Sequence, residues 1–228
     1  MRYFDGIGNR MHADIAYRLG YVLNEYISTK KEDDINNFSS TLALSILETV
    51  LCNFIEKAED KNAGYYAIRK DFKSEYKVDL NVKINDLDYN VLELKKSNIV
   101  ETSFPATTCF NFLKNIRNSL SHPFNYASKN VNSLKCMIIN KEKLLKTGVY
   151  TNFDNEIYEK NFIISDYYFV NQGVSQKSNK FYYSIYKISS NELISLTLKL
   201  CEIMSQPVLH DWKEFNSQNY IQVFNHTA

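Results

Sequence analysis

Three prolines and six glycines are few for a chain of 228 residues. A many-stranded sandwich or barrel needs a reversal about every 8–12 residues, and reversals draw on those two residue types. Their scarcity points instead to long helices. The four cysteines, Cys52, Cys109, Cys136 and Cys201, are scattered with no Cys-x-x-Cys pair. Buried free thiols and a cytoplasmic home are therefore expected. His12, His122, His210 and His226 show no ligand spacing, so no metal and no cofactor is expected. No apolar run reaches the roughly 18 residues of a membrane span. The first residues carry Asp5 and Asp14 rather than the apolar core of a signal peptide. The formal net charge is only +1, so no global field announces a polyanion; basic groups would have to be gathered locally.

What is present is an ordinary globular composition, 44% hydrophobic and 23% charged, rich in tyrosine (17) and phenylalanine (14). The length suits a single domain over 1–228 with a real core. Apolar residues from Ile15 to Tyr26 recur at three and four, predicting a helix over about 10–28 with His12 as a structural histidine near its inward edge. A second helix, about 35–59, is apolar nearly all round its middle and should be central. Glu48 and Glu56 within it read as exposed carboxylates. Gly64 through Tyr76, with Ile68 and Phe72, suggest a short helix. Val78, Leu80, Val82 and Ile84 alternate as in a strand, although Asp79 and Asn81 suit one poorly. Leu87, Val91 and Leu94 return to helical spacing.

A further helix is predicted from about Pro105 to Leu120, capped by Thr102 or Ser103. Aromatic and β-branched clusters at 162–170 and 181–188 flank a polar centre, a β-hairpin with a long tip. Lys177, Lys180 and Lys187 in and near it could face RNA, with packing of the hairpin on the helices the simpler reading. The last helix is expected over about 190–204, ending before Pro207. The fold class is thus mainly α: an up-and-down helical bundle with a β-hairpin, 162–188, appended in the C-terminal third.

The chemistry gathers at the end of the 105–120 helix, in Arg117-Asn118-Ser119-Leu120-Ser121-His122-Pro123. Arg117 is a permanent cation whose planar fork suits phosphate oxygens. His122 can give or take a proton near neutral pH. On an ideal helix they lie about 140° apart, whereas Asn118 and His122, four apart, share a face. Pro123 biases His122 out of the helix, which lets the imidazole turn. Asn118 can then orient it. Lys114, three before Arg117, extends the basic ridge.

This run resembles the Arg-x4-6-His signature of the HEPN superfamily, in the form with Asn after Arg. Phe110, Phe112, Leu113, Ile116 and Leu120 resemble the apolar helix that carries it. The resemblance implies a helical bundle, a homodimer and a metal-independent endoribonuclease of a toxin–antitoxin or anti-phage defence system. Arg117, Asn118 and His122 would be catalytic, with Lys114 and Ser121 touching RNA. The substrate 2′-hydroxyl would attack the adjacent phosphorus, leaving a 2′,3′-cyclic phosphate. The alternative is a non-catalytic helical module that binds RNA or a toxin or antitoxin protein, with Arg117 and His122 structural.

Overall fold

The computed structural model describes residues 8–30, 38–60, 68–70, 72–84, 90–103, 107–121, 131–136, 166–174 and 181–215. Within them the chain is mostly helical, with a small antiparallel sheet. Helix α1 is Gly8–Thr29 and α2 is Ser39–Ala58, close to the spans that their periodicity predicts. On α1 the buried positions Ala13, Ala16 and Gly20 are small. Small side chains let this helix lie close against the C-terminal helix α5, Ser190–Phe215, its principal partner. His12 is half-buried, at the edge of that packed face. Helix α2 touches α1, α5 and α4, Cys109–Ser121. It buries Ile46, Leu47, Val50, Leu51, Phe54 and Ile55, and leaves Glu48 and Glu56 exposed, so its central place follows from its composition.

Between α2 and α4 the short helix α3, Phe72–Tyr76, buries only its two aromatic ends. The segment after it has the burial of a strand without its ladder. Val78, Leu80 and Ile84 are buried while Asn81 and Lys83 face solvent, yet only Lys83 forms a bridge, to Thr108. Asp79 explains the difference. Its carboxylate accepts the Asn81 N–H at 3.0 Å and the Lys73 ammonium at 2.7 Å, a local bond that competes with strand pairing. The helical spacing over 87–94 also misleads. Asn90 folds its side chain onto Leu94, giving to its carbonyl at 2.7 Å and accepting its N–H at 3.0 Å. Glu93 adopts a left-handed φ of 53°. The result is a turn, leading through Lys96–Asn98 into strand β1, Ile99–Thr102. Leu87 lies outside the described residues.

The sheet runs β1-β4-β3-β2, where β2 is Val131–Cys136, β3 Asp166–Val174 and β4 Phe181–Ser189. Strands β3 and β4 are the two arms of the predicted hairpin, in register from Asp166 opposite Ser189 to Val174 opposite Phe181. The expectation that it is an appendage is corrected: β3 and β4 are the inner strands, with β1 and β2 added outside them. Alternation decides why. Tyr167, Phe169, Tyr186 and Ile188 point into the same core as α2, α4 and α5, while Tyr168, Val170 and Ile185 form a separate cluster on the other face. Lys187, on the same face as Ile185, pairs across the sheet with Asp166 at 3.0 Å. Lys177 and Lys180 lie outside the described residues. Pairing of β1 with β4 shifts between Ile99 and Glu101, a bulge.

Helix α5 corrects a second expectation, for it continues through Pro207. Its start is a capping box. Ser189 N–H and Oγ both give to Glu192 at 2.9 Å, and Glu192 N–H reaches Ser189 Oγ at 3.3 Å. Partial burial pushes the Glu192 carboxyl up, but the bonds from Ser189 and Asn98 outweigh it and hold the group below the usual glutamate range. A depressed folded-state pKa contributes stability above the unfolded value of about 4.3 and loses it as pH falls through the folded one. In urea titrations, the stability gap between the parent and Glu192→Gln should therefore be full at pH 7 and shrink steadily below about pH 4.3. The central place of β3 gives another expectation. Phe169, with no exposed surface, should cost about 3–4 kcal/mol when cut to alanine; an appended hairpin would lose far less in the same global unfolding curve.

Candidate functional site

Thr108 and the extended chain that follows α3, from Leu80 to Val82, hold the start of α4. The Asn111 N–H reaches Thr108 Oγ1 at 3.2 Å, so Thr108 caps the helix. Cys109 and Phe110 give their N–H groups to the carbonyls of Val82 at 2.9 Å and Leu80 at 3.0 Å. The predicted cap therefore moves from Thr102 or Ser103 to Thr108. Ser103 instead prolongs the β1 edge, its N–H bonding the Tyr183 carbonyl at 2.9 Å. Helix donors that could otherwise cradle an anion are thus used by the protein itself at this end.

Along its length α4 is gripped on two sides. Towards α2, Lys114 Nζ meets Glu59 Oε1 at 2.5 Å and Ser121 Oγ lies 3.0 Å from Cys52 Sγ. Contacts that run 114 to 121 on one helix and 59 to 52 on the other make the pair antiparallel. Towards the sheet, Asn115 Nδ2 donates to the Tyr186 hydroxyl at 2.9 Å, and its Oδ1 accepts from Asn171 at 2.6 Å. Ser119 Oγ shares its proton between the carbonyls of Asn115, 2.8 Å away, and Val170, 3.0 Å away. Burial pushes the Tyr186 phenol up, against the Asn115 bond, so it stays a neutral hydroxyl at neutral pH. The two deeply buried thiols behave likewise: desolvation raises Cys109 to about 11 and Cys201 to about 12, leaving them protonated and unreactive.

Lys114, Arg117, Asn118 and Ser121, spaced by threes and fours, fall within one arc of α4, so the structure brings four of the five predicted residues to one side. That side faces the α2 seam rather than open solvent. Lys114, expected to touch RNA, is 3% exposed and is the buried partner of Glu59. Ser121 is likewise occupied by Cys52. Arg117 and Asn118, on the last turn, are half-buried. His122 and Pro123 lie outside the described residues. Among the described residues no three His, Cys, Asp or Glu side chains are grouped to hold a metal ion, and no helix is long and apolar enough to cross a membrane. The Asn115–Ser119 pair escaped the sequence reading. Its signal was two polar residues four apart, beside Phe112 and Ile116 on an otherwise apolar helix.

The chain matches no protein-family model, no curated protein and no solved structure.

Removing Glu59 strands a buried ammonium. Glu59→Leu should destabilise the protein by about 3 kcal/mol, and Glu59→Leu with Lys114→Met should recover most of that loss in urea unfolding. A double variant as unstable as the single would show that the pair is not acting as a pair.

Proposed function

We propose that the chain is a metal-independent endoribonuclease of HEPN type, a cytoplasmic toxin or anti-phage effector in which Arg117, Asn118 and His122 act on RNA. The observation that carries the reading is the setting of the motif: Arg117 and Asn118 ride the final turn of a helix clamped to α2 and to the sheet, and neither is sealed in the core. A helix so held supplies the fixed geometry that a reacting phosphate requires. The nucleophile is the substrate's own 2′-hydroxyl, attacking the adjacent phosphorus in line as the 5′-oxygen leaves. His122 removes the hydroxyl proton or delivers one to the leaving oxygen. Arg117 balances charge growing on the non-bridging oxygens. Asn118 orients the imidazole or the substrate. One protomer offers a single imidazole for two proton transfers, so a homodimer presenting two motifs completes the set.

The second reading is a non-catalytic helical module that binds RNA or a partner protein. The intrachain bonds of Lys114 and Ser121 favour it, because they remove two groups from the RNA-facing set.

Purified protein should cut single-stranded RNA to products with 2′,3′-cyclic phosphate ends and leave the all-deoxy strand intact. Arg117→Ala and His122→Ala should each lower the rate at least a hundredfold. Cleavage by both variants at the parental rate would remove Arg117 and His122 from the chemistry, and a parent that leaves the RNA intact would transfer the assignment to the module. Induction in bacteria gives the parallel readout, arrested growth and degraded RNA for the parent alone.

A further inference from the structure

Positive charge gathers around α3. Residues 69–83 hold five basic side chains, Arg69, Lys70, Lys73, Lys77 and Lys83, against Asp71, Glu75 and Asp79, a net of +2 in a chain whose total is +1. All five basic side chains are exposed; Asp71 lies outside the described residues. The other side of α3 is anchored. Phe72 and Tyr76 are buried, and Phe72 meets Phe54 of α2 edge-on, 5.3 Å between ring centres. The Phe72 N–H closes a turn on the Arg69 carbonyl at 3.1 Å. Lys70, Lys73 and Lys77, three and four apart, therefore form one ridge, and Glu75 falls off that line. Asp79 holds Lys73 at 2.7 Å. Among the described residues no carboxylate pairs with Lys70, Lys77 or Lys83. Lys77 supplies a second, independent observation. It ends α3 with a left-handed φ of 56°, which glycine or asparagine adopts at less steric cost. Lysine is a strained choice there, and what it adds over glycine is its ammonium.

We propose that this ridge binds the phosphate backbone of single-stranded RNA on its way to the end of α4. Lysines in a row suit phosphates, because each is a compact charge on a long stem and none reads a base. A single narrow line of cations matches one strand rather than the two of a duplex. Lys83, on the extended chain after α3, carries the charge to the start of α4, where it bridges Thr108. Arg117 lies nine residues beyond Thr108, about 14 Å along the helix. A strand held by the ridge is thus led toward Arg117 and Asn118. The choice of RNA rests on the nuclease reading above; the ridge and its affinity for phosphates do not.

Fluorescence anisotropy of a labelled uridine oligonucleotide about 20 nucleotides long, with the full chain carrying His122→Ala to prevent cutting, tests it. Log K should fall with log salt at a slope of about −2 to −3, the value for three or four phosphates on a single strand. Adding Lys70→Ala or Lys77→Ala should weaken binding about three- to fivefold and flatten the slope by about 0.7. Lys77→Gly separates the side chain from the backbone: it should raise the urea midpoint by relieving the left-handed turn, yet lose as much binding as Lys77→Ala. The ridge positions are exposed, so each variant should keep the parental circular-dichroism spectrum. A slope near zero overturns the proposal, as do ridge variants that bind with the parental affinity. Capture by phosphatidylserine vesicles with no binding to the oligonucleotide overturns it too. The two readings fail separately. Ridge-dependent binding by a parent that cuts nothing keeps the ridge and removes the nuclease, whereas cutting whose KM ignores Lys70→Ala and Lys77→Ala keeps the nuclease and removes the ridge.

Discussion

A lysine that reaches its carboxylate at 2.5 Å, with 4% of its side chain in contact with solvent, sets how far α4 can slide along α2. Taking that charge out of water is costly, and the cost is recovered only if Glu59 stands within hydrogen-bond distance. A shift of α4 by one turn, about 5.4 Å, would break the pair and leave both charges stranded. Apolar side chains alone tolerate such shifts far better, because Phe110 or Leu113 could exchange one hydrophobic neighbour for another. The ion pair therefore supplies register where the surrounding core supplies most of the stability.

The sheet adds the second constraint. Asn115 gives and accepts across to two different strands, and an amide is satisfied only when both partners are in line. Rotation of α4 about its axis is thereby fixed as sliding is by Lys114. The last turn, with Arg117 and Asn118, inherits both restrictions without itself being buried in the core. Lys114 and Asn115 thus determine where the side chains of Arg117 and Asn118 begin.

How much of this was legible in the sequence depends on how local each determinant is. Helices α1 and α2 announce themselves because their periodicity is internal to each. The hairpin was legible for the same reason, since its two arms carry their own β pattern. Its position inside the sheet was not, because β1 and β2 join it from far along the chain. The same distance hid the fate of Lys114: its partner lies 55 residues away in sequence, so the side chain read as a surface cation. Around Asn90 the apolar spacing was genuine, but a single side chain closing on Leu94 overrode it. Of the candidate site, the arc shared by Arg117, Asn118 and Ser121 was legible from helical spacing alone; that it looks toward α2 was not.

The bulge in β1 has a consequence beyond its own pairing. Among the described residues the sheet of order β1-β4-β3-β2 ends at β1 and at β2, and the margin of a sheet invites strands from other molecules. On the β1 side that invitation is short and crooked: four residues, stepped out of line between Ile99 and Glu101. A foreign strand arriving there would find too few aligned groups to lay down a regular ladder, so this margin resists recruitment into fibrils even though the strands behind it are rich in tyrosine and isoleucine.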